Sequence, residues 1–124
     1  MTLQVLESWI LLIHCELLMR LRGLAALQKA IRKQSVSAAS ASDLSSEELC
    51  RAMDLACVFY FRRVQCLQRS ASTTLLLRRH GRFAEMVTGT QILPFRSHAW
   101  VEIDGTVVND KPYMHDIYQV LDRC

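Results

Sequence analysis

Apolar side chains recur at helical spacing from the start of the chain: Leu3, Leu6, Trp9, Ile10, Ile13, Leu17, Met19, Leu21, Leu24 and Leu27. No proline interrupts them, so the spacing predicts helix over 3–33. Gly23 is placed to divide it into two helices meeting at an angle, because glycine weakens a helix interior. Apolar positions cover more than one face, which predicts that the first half is central in the core or shared with a partner. Arg20, Arg22, Lys29, Arg32 and Lys33 gather in the second half, where a helix C-terminus favours positive charge.

Residues 34–44 are small and polar and predict a flexible loop, a tether between packed helices. Ser45 followed by Glu48 is a capping box for a helix over 46–62, whose apolar face includes Leu49, Ala52, Met53, Ala56, Cys57, Phe59 and Tyr60. Past Arg62 and Arg63 another helix starts near Cys66. Arg78-Arg79-His80-Gly81 marks its end, with basic groups in the last turn and glycine at the exit. The pattern then changes from helix to sheet. Phe83 to Thr88 and Phe95 to Ile103 are strand-like, with Gly89 and Pro94 limiting their connection, and Val107 and Val108 return after Asp104-Gly105. Lys111 to Cys124 predicts a short final strand or a turn of helix.

The fold class is therefore α+β: N-terminal helices followed by a small antiparallel sheet, with the helices on one sheet face. At 124 residues the chain is one domain, 1–124, comprising a helical region (1–33), the loop (34–44) and a core (45–124) that carries the candidate chemistry. A hydrophobic fraction of 51% fits either a well-filled small core or apolar surface used by a partner. The net charge of +3, from 15 basic and 12 acidic residues, is too small to suggest nucleic acid as a partner. The five cysteines (Cys15, Cys50, Cys57, Cys66 and Cys124) form no CxxC pair, so reduced cytoplasmic thiols are expected rather than a disulfide scaffold. His14, His80, His98 and His115 lack metal-ligand spacing, and no metal is expected. The densest apolar run, Trp9 to Met19, is too short to span a bilayer and lacks the marks of a signal peptide, so no transmembrane segment is expected.

Chemistry concentrates at Cys66, His98 and Asp110. A neutral thiol is a poor nucleophile; a helix N-terminus and a nearby imidazole favour the thiolate, and a carboxylate holds the imidazole in the useful tautomer. A cysteine on a helix start, then a histidine and an aspartate on adjacent strands, is what a thiol protease or a transglutaminase needs. The hairpin tests the last two. A two-residue Asp104-Gly105 turn pairs Ile103 with Thr106 and turns His98 and Asp110 to opposite faces. A three-residue loop with a bulge pairs Glu102 with Thr106 and brings Asp110 across from His98, about 5 Å apart at the Cβ atoms. The catalytic hypothesis predicts the second register, whereas the Asp-Gly pair by itself favours the first. Taken singly, Cys66 can be an inert core cysteine, His98 a polar edge residue and Asp110 a turn former after Asn109.

Three further residues belong to the candidate cleft. Gln65 precedes the thiol and can add an oxyanion donor. Arg69, three residues on, can contact substrate or form a salt bridge to Asp110 or Glu102. Trp100 alternates onto the face of His98, as cleft wall or as core. The arginines between Arg62 and Arg82 suit a solvated surface, or attraction of an acidic leader or partner.

The blocks Cys66-Leu67-Gln68-Arg69-Ser70-Ala71, Leu75-Leu76-Leu77-Arg78-Arg79-His80-Gly81, His98-Ala99-Trp100-Val101-Glu102-Ile103-Asp104-Gly105 and Val108-Asn109-Asp110 together resemble the transglutaminase-like leader peptidases of lasso-peptide biosynthesis. The resemblance covers residues 45–115 well and the N-terminal helices loosely. It implies a transglutaminase-like or papain-like cysteine protease core, with Cys66 as nucleophile, His98 as general base and Asp110 orienting that base. It implies removal of the leader from a ribosomally made precursor, close after a threonine, with no metal or organic cofactor. It also implies the split form, in which leader recognition lies in a separate protein and a macrolactam-forming cyclase acts next. The start at Met1 fits a short protein of that form. Two alternatives stay open on the residues themselves. One is an acyl transferase that passes the thioester to an amine, using the same three residues. The other is a non-catalytic interaction module with core cysteine and histidine.

Overall fold

The computed structural model describes residues 2–36, 44–92 and 94–124. The apolar N-terminal stretch is two helices, α1 (Thr2–Arg22) and α2 (Leu24–Lys33), broken at Gly23, whose φ of 87° departs from the helix. The loop expected over 34–44 lies for the most part outside the described residues. Helix α3 (Ser46–Val58) starts where the capping box places it, with the Ser45 hydroxyl accepting the Glu48 N–H at 3.1 Å. It ends four residues short of the expected 62. The aromatic run leaves the helix because Tyr60 packs edge-on against Trp9 and its hydroxyl donates to Glu16.

Helix α4 (Cys66–Arg79) is the central element: every residue from Ser70 to Arg78 is buried. Two of its buried threonine hydroxyls find acceptors one turn back, Thr73 on Arg69 O and Thr74 on Ser70 O. The exit forms a Schellman motif, with Arg82 N–H on Leu77 O, Gly81 N–H on Arg78 O and Gly81 at φ 83°. Arg78 does more than favour the helix end. Its buried guanidinium donates to Ile31 O, Gln34 O, Ala84 O and Cys124 O, joining the end of α2, the start of the sheet and the last strand.

The sheet is antiparallel in the order β3-β2-β1-β4, with β1 (Ala84–Gln91), β2 (Arg96–Ile103), β3 (Thr106–Val107) and β4 (Gln119–Arg123). The last segment supplies both of the expected possibilities, since a short helix α5 (Met114–Ile117) precedes β4. Strand β1 runs through Gly89 instead of stopping before it. The fold is thus α+β, with α4 laid on one sheet face and α1 and α3 packed against α4 around Leu12, Leu49, Met53, Leu76, Leu77 and Val101. A second cluster, Cys15, Leu27, Ile31, Leu75 and Met86, seats α2. The opposite sheet face carries Val87, Trp100 and Met114.

Helix α1 is long and apolar enough to cross a membrane, with a mean hydropathy of 1.3, which the shorter Trp9–Met19 run concealed. In this fold it packs along Ser8, Leu12 and Cys15, while Leu3, Leu6, Ile10, Leu17 and Leu21 are exposed. Glu7 ties it to the end of α4 through Arg79 Nε at 2.6 Å and His80 Nε2 at 2.8 Å. Burial by itself raises the Glu7 carboxyl, but the His80 and Arg79 hydrogen bonds and charges outweigh it and hold it below the usual range. A depressed carboxyl contributes stability that is fully present above its unfolded value of about 4.3 and is lost as pH falls through the folded value. Urea denaturation of Glu7→Gln should therefore show its largest deficit against wild type above about pH 5, with the two curves converging at lower pH.

Candidate functional site

The pleat sorts the sheet residues. With Gly89 opposite His98, Val87 opposite Trp100 and Glu85 opposite Glu102, these pairs share the face away from the helices, while Met86 and Val101 face them. His98, Trp100 and Glu102 thus stand in a row along β2. Trp100 is fully buried and lies nearly parallel to the His98 ring, 6.1 Å between centroids; Tyr118 lies 5.3 Å away from the same ring. The indole Nε1–H donates to Glu102 at 2.7 Å, and Glu102 also accepts from Arg123 at 2.8 Å and lies 2.6 Å from His115 Nε2. Burial by itself raises the Glu102 carboxyl; hydrogen bonds from Arg123 and Trp100, with the charges of Arg123 and His115, outweigh it and keep it low. Gly89 is the space that Trp100 needs, since a Cβ there would come within 2.9 Å of both Trp100 Cη2 and Gln119 O.

The hairpin overturns the register that the catalytic hypothesis called for. Ile103 pairs with Thr106 and Glu102 with Val107. The turn has positive φ at both central residues, 51° at Asp104 and 77° at Gly105, as a type I′ turn requires. Nevertheless His98 Nε2 lies 2.5 Å from Asp110 Oδ2. The ladder does not continue far enough to separate them. Val108 N–H still bonds Val101 O, but the Val101 N–H is taken by the side-chain Oδ1 of Asn109 at 2.7 Å. Asn109 Nδ2 also donates to Ser70 Oγ on α4, whose hydroxyl donates to Ala99 O. The chain therefore leaves the sheet after Val107, and Asp110 turns back to the imidazole. Its other oxygen accepts the Lys111 N–H.

Cys66 opens α4 and is half-buried. Its N-cap Gln65 has extended backbone, and the Gln65 side chain caps none of the first-turn amides. Those amides have no intrahelical acceptor. Cys66 and His98 line one cavity of about 290 Å³, together with Leu24, Gln28, Leu67, Thr88, Gly89, Ser97, Ala99, Leu121 and Asp122. With Nε2 engaged by Asp110, Nδ1 is the ring nitrogen without a hydrogen-bond partner among the described residues. No hydrogen bond joins the Cys66 thiol to that ring among the described residues; in free enzymes such bonds are often long and tighten with substrate. Burial pushes the Cys15 and Cys50 thiols up to about 11, and raises those of Cys57 and Cys124. None of these four lines the cavity.

The remaining candidates separate. Gln65 sits beside Cys66 in a shallow hollow with Arg63 and Val64, outside the cavity that His98 lines. Arg69 turns to Asp54 on α3, with Nη2 at 2.8 Å from its carboxylate, and pairs with neither Asp110 nor Glu102. Trp100 is core beneath the imidazole and not cleft wall. Much of the arginine cluster is internal structure, with Arg78 buried, Arg79 on Glu7 and Arg82 on Leu44 O. Asn109, Ser70 and Tyr118 were not anticipated. The spacing of His98, Trp100 and Glu102 at every second residue could have grouped those three, whereas nothing local marks Asn109 as a strand terminator. Among the described residues no group of three or more His, Cys, Asp or Glu side chains is arranged to hold a metal ion.

Asn109→Ala removes the side-chain acceptor of the buried Val101 N–H and with it the bond that fixes where the chain leaves the sheet. It should cost about 2–3 kcal/mol by urea denaturation. It should also abolish the His98–Asp110 bond, read as loss of the deshielded His98 Nε2 proton in NMR spectra.

A model of the transglutaminase-like superfamily matches residues 9–123. The Microcin J25-processing protein McjB of Escherichia coli is 34% identical to the chain over 82 residues, 63% of this chain and 39% of that protein. The chain thus spans well under half of the relative's length. No solved structure matches.

Proposed function

Since the chain belongs to the transglutaminase-like superfamily, we propose that it is a cysteine peptidase that removes the leader from a ribosomally made lasso-peptide precursor. The similar McjB is a microcin J25-processing protein, which is the precedent for that substrate class. One observation carries the proposal. His98, whose imidazole is held by Asp110 at 2.5 Å, is a lining residue of the same cavity as Cys66 at the start of α4.

In the proposed reaction Asp110 stays ionised and holds the Nε2–H of His98, so that Nδ1 takes the Cys66 proton. The thiolate attacks the scissile carbonyl. First-turn amides of α4 donate to the developing oxyanion. The imidazolium passes its proton to the leaving amine, the new N-terminus of the core peptide, and the leader's carbonyl remains as a thioester on Cys66. Water activated by the same imidazole then releases the leader as a carboxylate. No metal or organic cofactor enters the scheme. The partners that go with it are the precursor, a separate leader-recognition protein and the macrolactam-forming cyclase that uses the freed amine, all in the cytoplasm.

The test combines the chain with a leader-binding partner and candidate precursor and weighs the products by mass spectrometry. Two fragments with complementary masses are expected. Cys66→Ala should leave the precursor intact, and His98→Ala should slow cleavage by at least about 100-fold. A precursor left whole by the complete wild-type mixture contradicts the proposal, and transfer of the leader to an added amine in preference to water replaces it with acyl transfer.

A further inference from the structure

Besides Cys66 and Leu67 of α4 and the residues of β1 and β2, the cavity is lined by residues of α2 and β4. In the β1–β4 pairing Thr88 meets Asp122 but Gly89 meets Val120, so Leu121 is an extra residue, a β-bulge. A bulge re-aims a side chain, and here Leu121 turns to the cavity beside Asp122. The break at Gly23 has the matching effect on the other side, setting Leu24 and Gln28 of α2 against the same space. Asp122 is clamped from α2 by Gln28 Nε2 at 3.1 Å and by Arg32 Nη2 at 3.0 and 2.8 Å. The carboxylate in this wall is thus already paired and offers no free charge to a ligand.

We propose that Leu24, Leu67 and Leu121 form a specificity subsite that takes an aliphatic side chain flanking the bond attacked by Cys66. This rests on the peptidase reading of the cavity and adds the chemical class of residue it accepts. Three leucines from three elements meet beside the thiol, and no unpaired charge among the described lining residues could receive an ionic group. A volume of about 290 Å³ suits one large side chain; pockets for whole drug-sized ligands run from about 300 to 1,000 Å³. Helix α2 therefore does more than support the fold, because its Leu24 and Gln28 complete the cleft.

The experiment reads the subsite through the thiol alone. Iodoacetamides carrying an isobutyl, a carboxyethyl or a trimethylammonioethyl group on nitrogen are compared by their rates of S-alkylation at Cys66, located by peptide mapping. The isobutyl reagent should react at least about 10-fold faster than either charged one. Leu24→Ser and Leu121→Ser, both at positions about half exposed or more, should each reduce that advantage to under about threefold while leaving the thermal midpoint unchanged. Equal rates for the three reagents on wild type, or an advantage that survives in both variants, overturns the inference. Precursor cleavage without reagent preference would overturn the subsite alone; preference without cleavage would overturn the peptidase proposal and leave an apolar ligand site.

Discussion

One side chain imitating a strand decides the geometry of this protein. Asn109 supplies its amide oxygen to the Val101 N–H, a position that a backbone carbonyl would otherwise fill. A buried N–H left unpaired costs about 1–3 kcal/mol, so the substitution of side chain for backbone is what lets the chain abandon the ladder. Its other end donates to Ser70, which in turn holds Ala99 O, and so the departure point is fixed to both α4 and β2. Without it the tight Asp104-Gly105 turn would carry Asp110 to the wrong sheet face. With it the carboxylate and the imidazole meet at 2.5 Å.

The surroundings keep that pair in place by different physics on its two sides. Away from the helices, aromatic surface does the positioning: Trp100 and Tyr118 flank the His98 ring, and Trp100 is fixed through Glu102, whose charge is balanced by Arg123. Toward the helices, the thiol is carried by a buried helix whose far end is anchored by Arg78 to four backbone carbonyls. Cys66 and His98 therefore sit on elements that are each held by several independent bonds. A site spread over a helix start, a strand and a loop needs that rigidity to keep its groups in register.

Much of this was legible in the sequence, for reasons that differ by element. The capping box at Ser45, the break at Gly23 and the Gly81 exit from α4 are local signals, and each element starts or stops there because local hydrogen bonding dictates it. The type I′ turn was equally legible from Asp104-Gly105, and the expectation that failed was the one that set that signal aside to satisfy the chemistry. What was hidden depends on tertiary partners. Arg69 finds Asp54, α3 gives up its last turn to the Trp9–Tyr60 contact, and Gly89 sits inside a strand because an indole crosses it. Asn109 belongs to the same class: its role exists only once Ser70 and Val101 have been brought beside it.

Cys66 at the mouth of α4 and His98 on β2 line a single small cavity, and the proposed chemistry requires the thiol and the imidazole to reach one another there. A three-carbon bis-electrophile such as 1,3-dibromoacetone measures this directly, since after alkylating one side chain its second arm reaches only a nucleophile within a few ångströms. Peptide mapping of the treated protein should find one covalent bridge, between Cys66 Sγ and a ring nitrogen of His98. Cys66 carrying the reagent with its second arm unspent, or joined to any other side chain, would contradict the account.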